Sequence, residues 1–340
     1  MNETNSSEEI TEKLLKLLEE RGKEALELAR KTVLDEKIES KEVREALKYF
    51  ITEYWHDTTR PALLSLICEA VGGDPSKTIP IGISMTLISG GIDIHDDIVD
   101  ESEKKGPRLT VYGKFGKNIA LLIGDALMFK GFTTLYEAVG NGVTAEQIAD
   151  ISKIIDRTFF ELGDAEALEL QFRERVDVKP EEYISVIRKK AADVEAYTRI
   201  SAIVGGGSEE EVEAFGEYGR ILGMLVILRD ELIDMLDPEE TIHRLKKEHL
   251  SLATVYALQN NTMKPTISKL LTKTTTIRDA EKLSISVDKA GGFDNVHNYM
   301  QKLATTAYDK IEKAKLNKNS LALLVNGMIL PDWRAYLPQK

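Results

Sequence analysis

Six carboxylates in two short clusters are the side chains best spaced to do chemistry. The first cluster is Asp96, Asp97 and Asp100, which follows an apolar run from Ile79 to Ile88 and lies within Gly90–Glu101. Residues four apart on a helix share a face, so Asp96 and Asp100 point the same way with Asp97 beside them. The second cluster, Asp230, Glu231 and Asp234, repeats that spacing 134 residues later (96 to 230). Oxygen-only ligands favour a hard ion such as magnesium, whose shell substrate phosphates usually complete. Alone, the first cluster reads equally well as a solvated acidic helix end, and the second reads more readily as one. As a facing pair they would form a magnesium cage open to a phosphate-bearing ligand. No GxxxxGK(S/T), GxSxG, HExxH or CxxC pattern competes with them. His56, His95, His243, His249 and His297 have no metal-ligand spacing.

The elements that must position these clusters read as helices. Apolar residues recur at helical spacing at Ile10, Leu14, Leu17, Leu18, Leu26 and Leu28. Residues 1–9 before them are expected to be a disordered leader. Further helices are expected at 41–53, 61–71, 77–101 and 117–139. Thr144 and Gln147 form a capping box for a helix running to about residue 174. Helices at 180–204 and 209–237 follow, with Pro238 as the stop of the second. The last five are expected at 249–260, 263–273, 277–290, 293–315 and 319–328. Lys104–Gly116 reads as a loop that brings Lys104, Lys105 and Arg108 just after the first acidic cluster. There is no period-two strand pattern, no internal repeat and no linker composition. The expectation is one all-α domain over residues 1–340, built of about a dozen helices.

Composition agrees with that reading. The 340 residues are 42% hydrophobic and 30% charged, enough to bury a sizeable core. A net charge of −12 argues against nucleic acid as a partner and requires a local basic patch or a metal for any anionic ligand. The single cysteine, Cys68, excludes a disulfide framework and fits a reducing cytoplasm. No apolar run reaches the roughly 18–20 residues of a membrane span. An apolar tail from Leu321 to Leu330, with Trp333 and Tyr336, offers peripheral membrane contact as an alternative to packing.

From about residue 50 to 315 the chain resembles the trans-polyprenyl diphosphate synthase family. The resemblance rests on co-linear blocks: Arg60-Pro61 leading to Gly72-Gly73-Asp74, His95 to Ser102, Phe115-Gly116, Gly124 to Leu127, Gln171, Lys190, Leu222-Gly223 leading to Asp230–Asp234, and Gly292. It implies an all-α bundle of isoprenoid synthase type around a central cavity. It also implies about three magnesium ions held by Asp96, Asp97, Asp100, Asp230, Glu231 and Asp234, and a homodimer or a heteromer with a homologue. Those ions would grip an allylic polyprenyl diphosphate, assisted by Lys190, Gln171, Arg60, Lys104, Lys105 and Arg108. The allylic cation left after ionisation would be captured by an acceptor, in the family usually isopentenyl diphosphate.

The departures cluster on the acceptor side. Where the family has a lysine, this chain has Asp57, a charge reversal beside Arg60. Ser89, Gly106, Ala191 and Ile227 replace a histidine, an arginine, a threonine and a glutamine, and Glu248 to Ala253 replace a basic segment. A diphosphate needs cationic donors. The chain therefore reads as a prenyltransferase with a degraded isopentenyl diphosphate site. Transfer to that acceptor and transfer to an atypical one both stay open, beside a non-catalytic subunit or a terpene cyclase. Gly90 and Gly91, just before the first cluster, are expected either to open the cavity floor to a long prenyl tail or to permit close helix packing.

Overall fold

The computed structural model of the chain describes residues 3–329 with the exception of 174. It is all-α. Helix α1 (Glu3–Leu34) already begins within the stretch expected as a leader. Ser40 caps α2 (Lys41–Tyr49), which runs on into a π-helical turn, Phe50–Tyr54. Next come α3 (Thr59–Ala70), α4 (Ile79–Val99), α5 (Val111–Phe115), α6 (Lys117–Glu137) and α7 (Ala145–Leu170). The capping box of Thr144 and Gln147 is present at the start of α7. Then follow α8 (Pro180–Lys190), α9 (Ala192–Val204), α10 (Glu209–Leu236) and α11 (Pro238–Lys247). The chain closes with α12 (Leu252–Ala257), α13 (Lys264–Leu271), α14 (Ile277–Lys289), α15 (Gly292–Ile311) and α16 (Lys318–Met328).

Three departures from the sequence expectation bear on function. The loop after α4 holds a minimal hairpin, β1 (Lys104–Lys105) with β2 (Arg108–Leu109), turned by Gly106 at φ 57°. Strands of two residues are too short to carry an alternating pattern. The helix expected at 180–204 is two helices that meet at Ala191, which is fully buried. A side chain at Gly223 would meet the Ala191 methyl at 2.9 Å, so α10 passes very close to this junction. Finally, Pro238 does not simply end α10; it opens α11. Asp237 caps α11 by accepting from the Glu239 and Glu240 N–H groups at 2.8 and 3.3 Å, and Pro at the first helical position needs no N–H partner. The Trp333 and Tyr336 readings lie outside the described residues.

Two long helices, α4 and α10, carry the acidic clusters at their C-terminal ends. Helix α10 buries Phe215, Tyr218, Ile221, Leu222, Leu225 and Leu228 against α9 and α15. Helix α4 packs along α6, where glycines set the separation. A Cβ on Gly91 would lie 2.6 Å from the Gly124 carbonyl oxygen and 2.5 Å from Met128 Cγ. A Cβ on Gly90 would lie 3.0 Å from Phe50 and 3.2 Å from Trp55. Both glycines therefore serve close packing and do not open the cavity floor. The run from Lys117 to Asn141 is apolar and long enough by composition to cross a bilayer, contrary to the sequence expectation, although its inner face is buried on α4.

The α4–α6 contact yields a stability prediction. Gly91→Ala should lower the free energy of unfolding by about 1–3 kcal/mol, because a methyl is forced against a backbone carbonyl. Urea titration would read this as a lower midpoint; an unchanged midpoint would mean that the two helices part freely.

Candidate active site

The ends of α4 and α10 face a shared cavity of about 310 Å³. Asp96 and Asp100 line one side; Asp230, Glu231 and Asp234 line the other. Side chains from α7, α8 and the α11 region complete the wall, including Glu166, Glu169, Arg173, Lys190, Arg244 and Glu248. Eight carboxylates thus face four cations.

On the α4 side, Asp97 is turned away from the cavity and only 2% exposed. Its Oδ1 lies 2.8 Å from Lys105 Nζ, which also reaches Asp96 Oδ2 at 3.6 Å. Burial pushes the Asp97 carboxyl up to about 6 against the pull of Lys105. Burial, reinforced by the charge of Asp96, raises Asp100 to about 6 as well. Lys105 gains charge stabilisation from Asp97 and Asp96 that more than offsets its own desolvation, so its pKa rises. Arg173, beyond the end of α7, places Nη2 3.3 Å from Asp100 Oδ1 and donates to the Val99 carbonyl at 3.2 Å.

On the α7–α8 side, Lys190 contacts Glu169 closely and lies 3.1 Å from Glu166 Oε1. Burial raises Glu166 to about 7 even so. Removing Lys190 alone would strand two partly buried carboxylates, at a cost on the order of 3–5 kcal/mol. Lys190 is therefore at once a cavity cation and a stabilising one.

On the α10 side, Glu231 is 6% exposed and internally committed. Its Oε1 accepts from the Tyr183 hydroxyl and its Oε2 from the Leu252 N–H at 3.1 Å. Arg244 of α11 lies 2.7 Å from Asp234 Oδ2, 3.7 Å from Glu231 Oε1 and 3.6 Å from Glu248 Oε2. His249 Nε2 lies 2.8 Å from the Tyr183 hydroxyl and 3.0 Å from Glu169 Oε1. A neutral imidazole with its proton on Nε2 donates to Glu169 while the phenol donates to Glu231. Burial, followed by the charges of Arg244, Lys190 and Arg173, holds the imidazole down to about 3.

Several residues expected at the site stand elsewhere. Gln171 is exposed at the C-cap of α7 and does not line the cavity. Arg108 donates to the Glu53 and Tyr54 carbonyls at 3.3 and 3.4 Å, and Lys104 is exposed on the hairpin; neither lines the cavity. Arg60 is also outside it. Three carboxylates surround its guanidinium: Asp57 at 2.9 Å, Asp93 at 3.2 Å and Asp193 at 3.3 Å. The Trp55 indole donates to Asp93 at 3.1 Å. This cluster ties α3, α4 and α9 together and consumes the positive charge expected to hold a substrate. Conversely, Glu166, Glu169, Arg173, Arg244, Glu248 and His249 line the cavity without having been singled out as ligand contacts. Glu166, Glu169 and Arg173 follow one another at spacings of three and four, a helical face that could have been noticed.

Below the acidic ring, Met85, Ile88, Ile92, Ile155, Phe159 and Tyr197 enclose a narrow apolar pocket of about 20 Å³. Met85, Ile88, Ser89 and Ile92, not the two glycines, turn from α4 toward this pocket.

The donor set fits magnesium. Asp96, Asp100, Asp230 and Asp234 offer hard oxygen ligands on two opposed walls, and the carboxylates outnumber the cations two to one. Among the described residues, no group of three His, Cys, Asp or Glu side chains is gathered closely enough to hold one ion alone. Asp97 is bound to Lys105, and Glu231, which lines the cavity, is bound to Tyr183 and Leu252.

Known proteins resemble this chain in sequence and in fold. A model of the polyprenyl synthetase family matches residues 40–286. The chain is 34% identical over 206 residues to a short chain isoprenyl diphosphate synthase of Methanothermobacter thermautotrophicus, covering 59% of this chain and 62% of that one. It is 32% identical over 192 residues to a geranylgeranyl diphosphate synthase of Methanosarcina mazei, covering 56% and 58%. The matched stretch thus spans less than two thirds of either relative. Among solved structures, geranylgeranyl pyrophosphate synthetase from Pyrococcus horikoshii Ot3 superposes with a TM-score of 0.82 at 22% identity, covering 95% of this chain and 99% of that one. Polyprenyl synthetase from Streptomyces coelicolor A3(2) gives 0.81 at 20% identity, covering 93% and 100%. These likenesses show that the fold is that of isoprenyl synthases.

The neutral His249 predicts a pH dependence. Unfolded, its imidazole takes a proton near 6.5; folded, it does so only near 3. Between those values the unfolded chain binds the extra proton, so the contribution of His249 to stability falls as pH drops, by about 1.4 kcal/mol per pH unit. The raised Asp97, Asp100 and Glu166 act in the opposite sense, gaining stability on acidification below their folded values. In chelator-treated protein, His249→Gln should therefore lose less stability than wild type between pH 6.5 and 4.5. Equal losses in urea titrations would contradict a buried neutral imidazole.

Proposed function

The chain belongs to the polyprenyl synthetase family, and from that premise we propose that it is a magnesium-dependent prenyl diphosphate synthase, elongating an allylic diphosphate with isopentenyl diphosphate. The observation that carries this reading is the convergence of Asp96, Asp100, Asp230 and Asp234 on one cavity with an excess of carboxylates. A diphosphate alone would be repelled from such a wall; together with divalent cations it would be attracted. The geranylgeranyl diphosphate synthases among the relatives support a short-chain product.

Magnesium held by those four aspartates would supply charge neutralisation of the leaving diphosphate. The chain's own residues do the remaining work. Glu231, fixed by the buried Tyr183 and Leu252, and the buried Asp97, paired with Lys105, hold the carboxylate-bearing helix ends in place. Lys190, held between Glu166 and Glu169, keeps a positive charge at the cavity wall. The apolar side chains of Ile88, Ile92 and Phe159 keep water from the cation left when the carbon–oxygen bond breaks. Attack by the acceptor double bond then forms the new carbon–carbon bond, and loss of a proton restores the alkene.

One observation favours a second reading. The neutralised Arg60 leaves the acceptor side without a free cation at that position, which would suit an acceptor other than isopentenyl diphosphate. The comparisons support neither a cyclase nor a non-catalytic subunit. We also read the chain as a homodimer. Leu122, Phe129 and Tyr136 stand seven residues apart on the outer face of α6, and Phe129 is 73% exposed. This face offers an apolar surface for a second copy.

Two experiments test these readings. Purified protein incubated with magnesium, isopentenyl diphosphate and a series of allylic diphosphates should yield elongated products. Chelation should abolish them, and Asp96→Asn or Asp230→Asn should cut the rate by about 10²-fold or more. Pyrophosphate release without elongation would favour the second reading, and no turnover of any allylic diphosphate would contradict both. In sedimentation velocity, wild type should run as a dimer and Phe129→Asp as a monomer. A wild-type monomer would sink the dimer reading.

A further inference from the structure

Four cationic side chains face the cavity, and they differ in how firmly the protein holds them. Lys190 is enclosed by Glu166 and Glu169. Lys105 is bound to the buried Asp97 at 2.8 Å. Arg244 is shared among Asp234, Glu231 and Glu248. Each of these balances carboxylates that would otherwise be stranded in a poorly solvated wall, so none can leave freely.

Arg173 is held differently. It sits in the turn beyond α7, not in a helix. Among the described residues, only its Nη2 is engaged, at 3.3 Å from Asp100 Oδ1 and 3.2 Å from the Val99 carbonyl. The Nε and Nη1 donors remain available, and a guanidinium edge matches two phosphate oxygens at once. The cations expected just after the first acidic cluster, Lys104 and Arg108, are outside the cavity. Lys105, already committed to Asp97, and Arg173 are the cations that the fold supplies on that side.

We propose that Arg173 is a diphosphate-binding residue of this site. While the cavity is empty it rests on Asp100; when ligand arrives it yields that carboxylate to magnesium and turns its guanidinium onto the diphosphate. The inference rests on the cavity being a magnesium–diphosphate site. It has a consequence that a purely structural ion pair would not have. Arg173 competes with magnesium for Asp100 in the absence of diphosphate and cooperates with magnesium in its presence.

Isothermal titration tests this on the full chain with two probes: magnesium chloride alone, and inorganic pyrophosphate at saturating magnesium. Arg173→Gln should bind magnesium alone several-fold more tightly than wild type and bind pyrophosphate at least about tenfold more weakly. Arg173→Lys should fall between them, keeping the charge but losing the fork. Arg175→Gln, which removes a guanidinium paired with Asp177 and Glu182 outside the cavity, should match wild type with both probes. Wild-type pyrophosphate affinity in Arg173→Gln and Arg173→Lys would overturn the assignment to Arg173 alone. Failure of the wild-type protein to bind magnesium and pyrophosphate would overturn the cavity reading and this inference together.

Discussion

Carboxylates crowded at the C-terminal ends of two helices are the constraint on which the rest of this structure turns. Asp96 and Asp100 close α4, and Asp230 and Asp234 stand in the last turns of α10. The negative end of each helix dipole makes those positions unfavourable for an anion, and mutual repulsion adds to the cost. Burial raises the carboxyl groups of Asp97, Asp100 and Glu166 without neutralising the wall. Such an arrangement persists only if cations answer it. Lys105, Arg173, Lys190 and Arg244 do so in part, and divalent ions brought with a diphosphate would complete the balance.

The packing can be read as the means of holding that unfavourable wall in place. Gly91 lets α4 lie against Gly124 of α6, and Gly223 lets α10 approach the junction at Ala191. Behind the wall, Tyr183 and His249 connect Glu231 to Glu169, so the α10 and α7 sides are joined by hydrogen bonds through a neutral imidazole. Arg60 draws Asp57, Asp93 and Asp193 together at the junction of α3, α4 and α9. The polar network and the glycine contacts serve one end: they hold the two helix tips on one shared cavity.

Much of this was legible in the sequence. Spacings of four within Asp96–Asp100 and Asp230–Asp234 disclosed two faces, because helical periodicity is local. That the faces meet followed only from family resemblance. What stayed hidden was of two kinds. Reading Pro238 as a stop hides helix α11 and with it Arg244, although Asp237, Pro238 and two glutamates form a helix start. The fates of Arg60, Gly90 and Gly91 depend on partners far along the chain, Asp193, Phe50 and Met128, which no local pattern announces. Gln171 and Arg173 are two residues apart, and only the turn after α7 decides which of them faces the cavity.

The proposed activity requires the two helix tips to hold metal and diphosphate between them. The most direct measurement is a crystal structure of the protein with manganese and inorganic pyrophosphate, with the ions located by anomalous scattering. The account predicts ions against Asp96 and Asp100 and against Asp230 and Asp234, joined through pyrophosphate oxygens. Ions on one cluster only, or pyrophosphate bound away from this cavity, would contradict it.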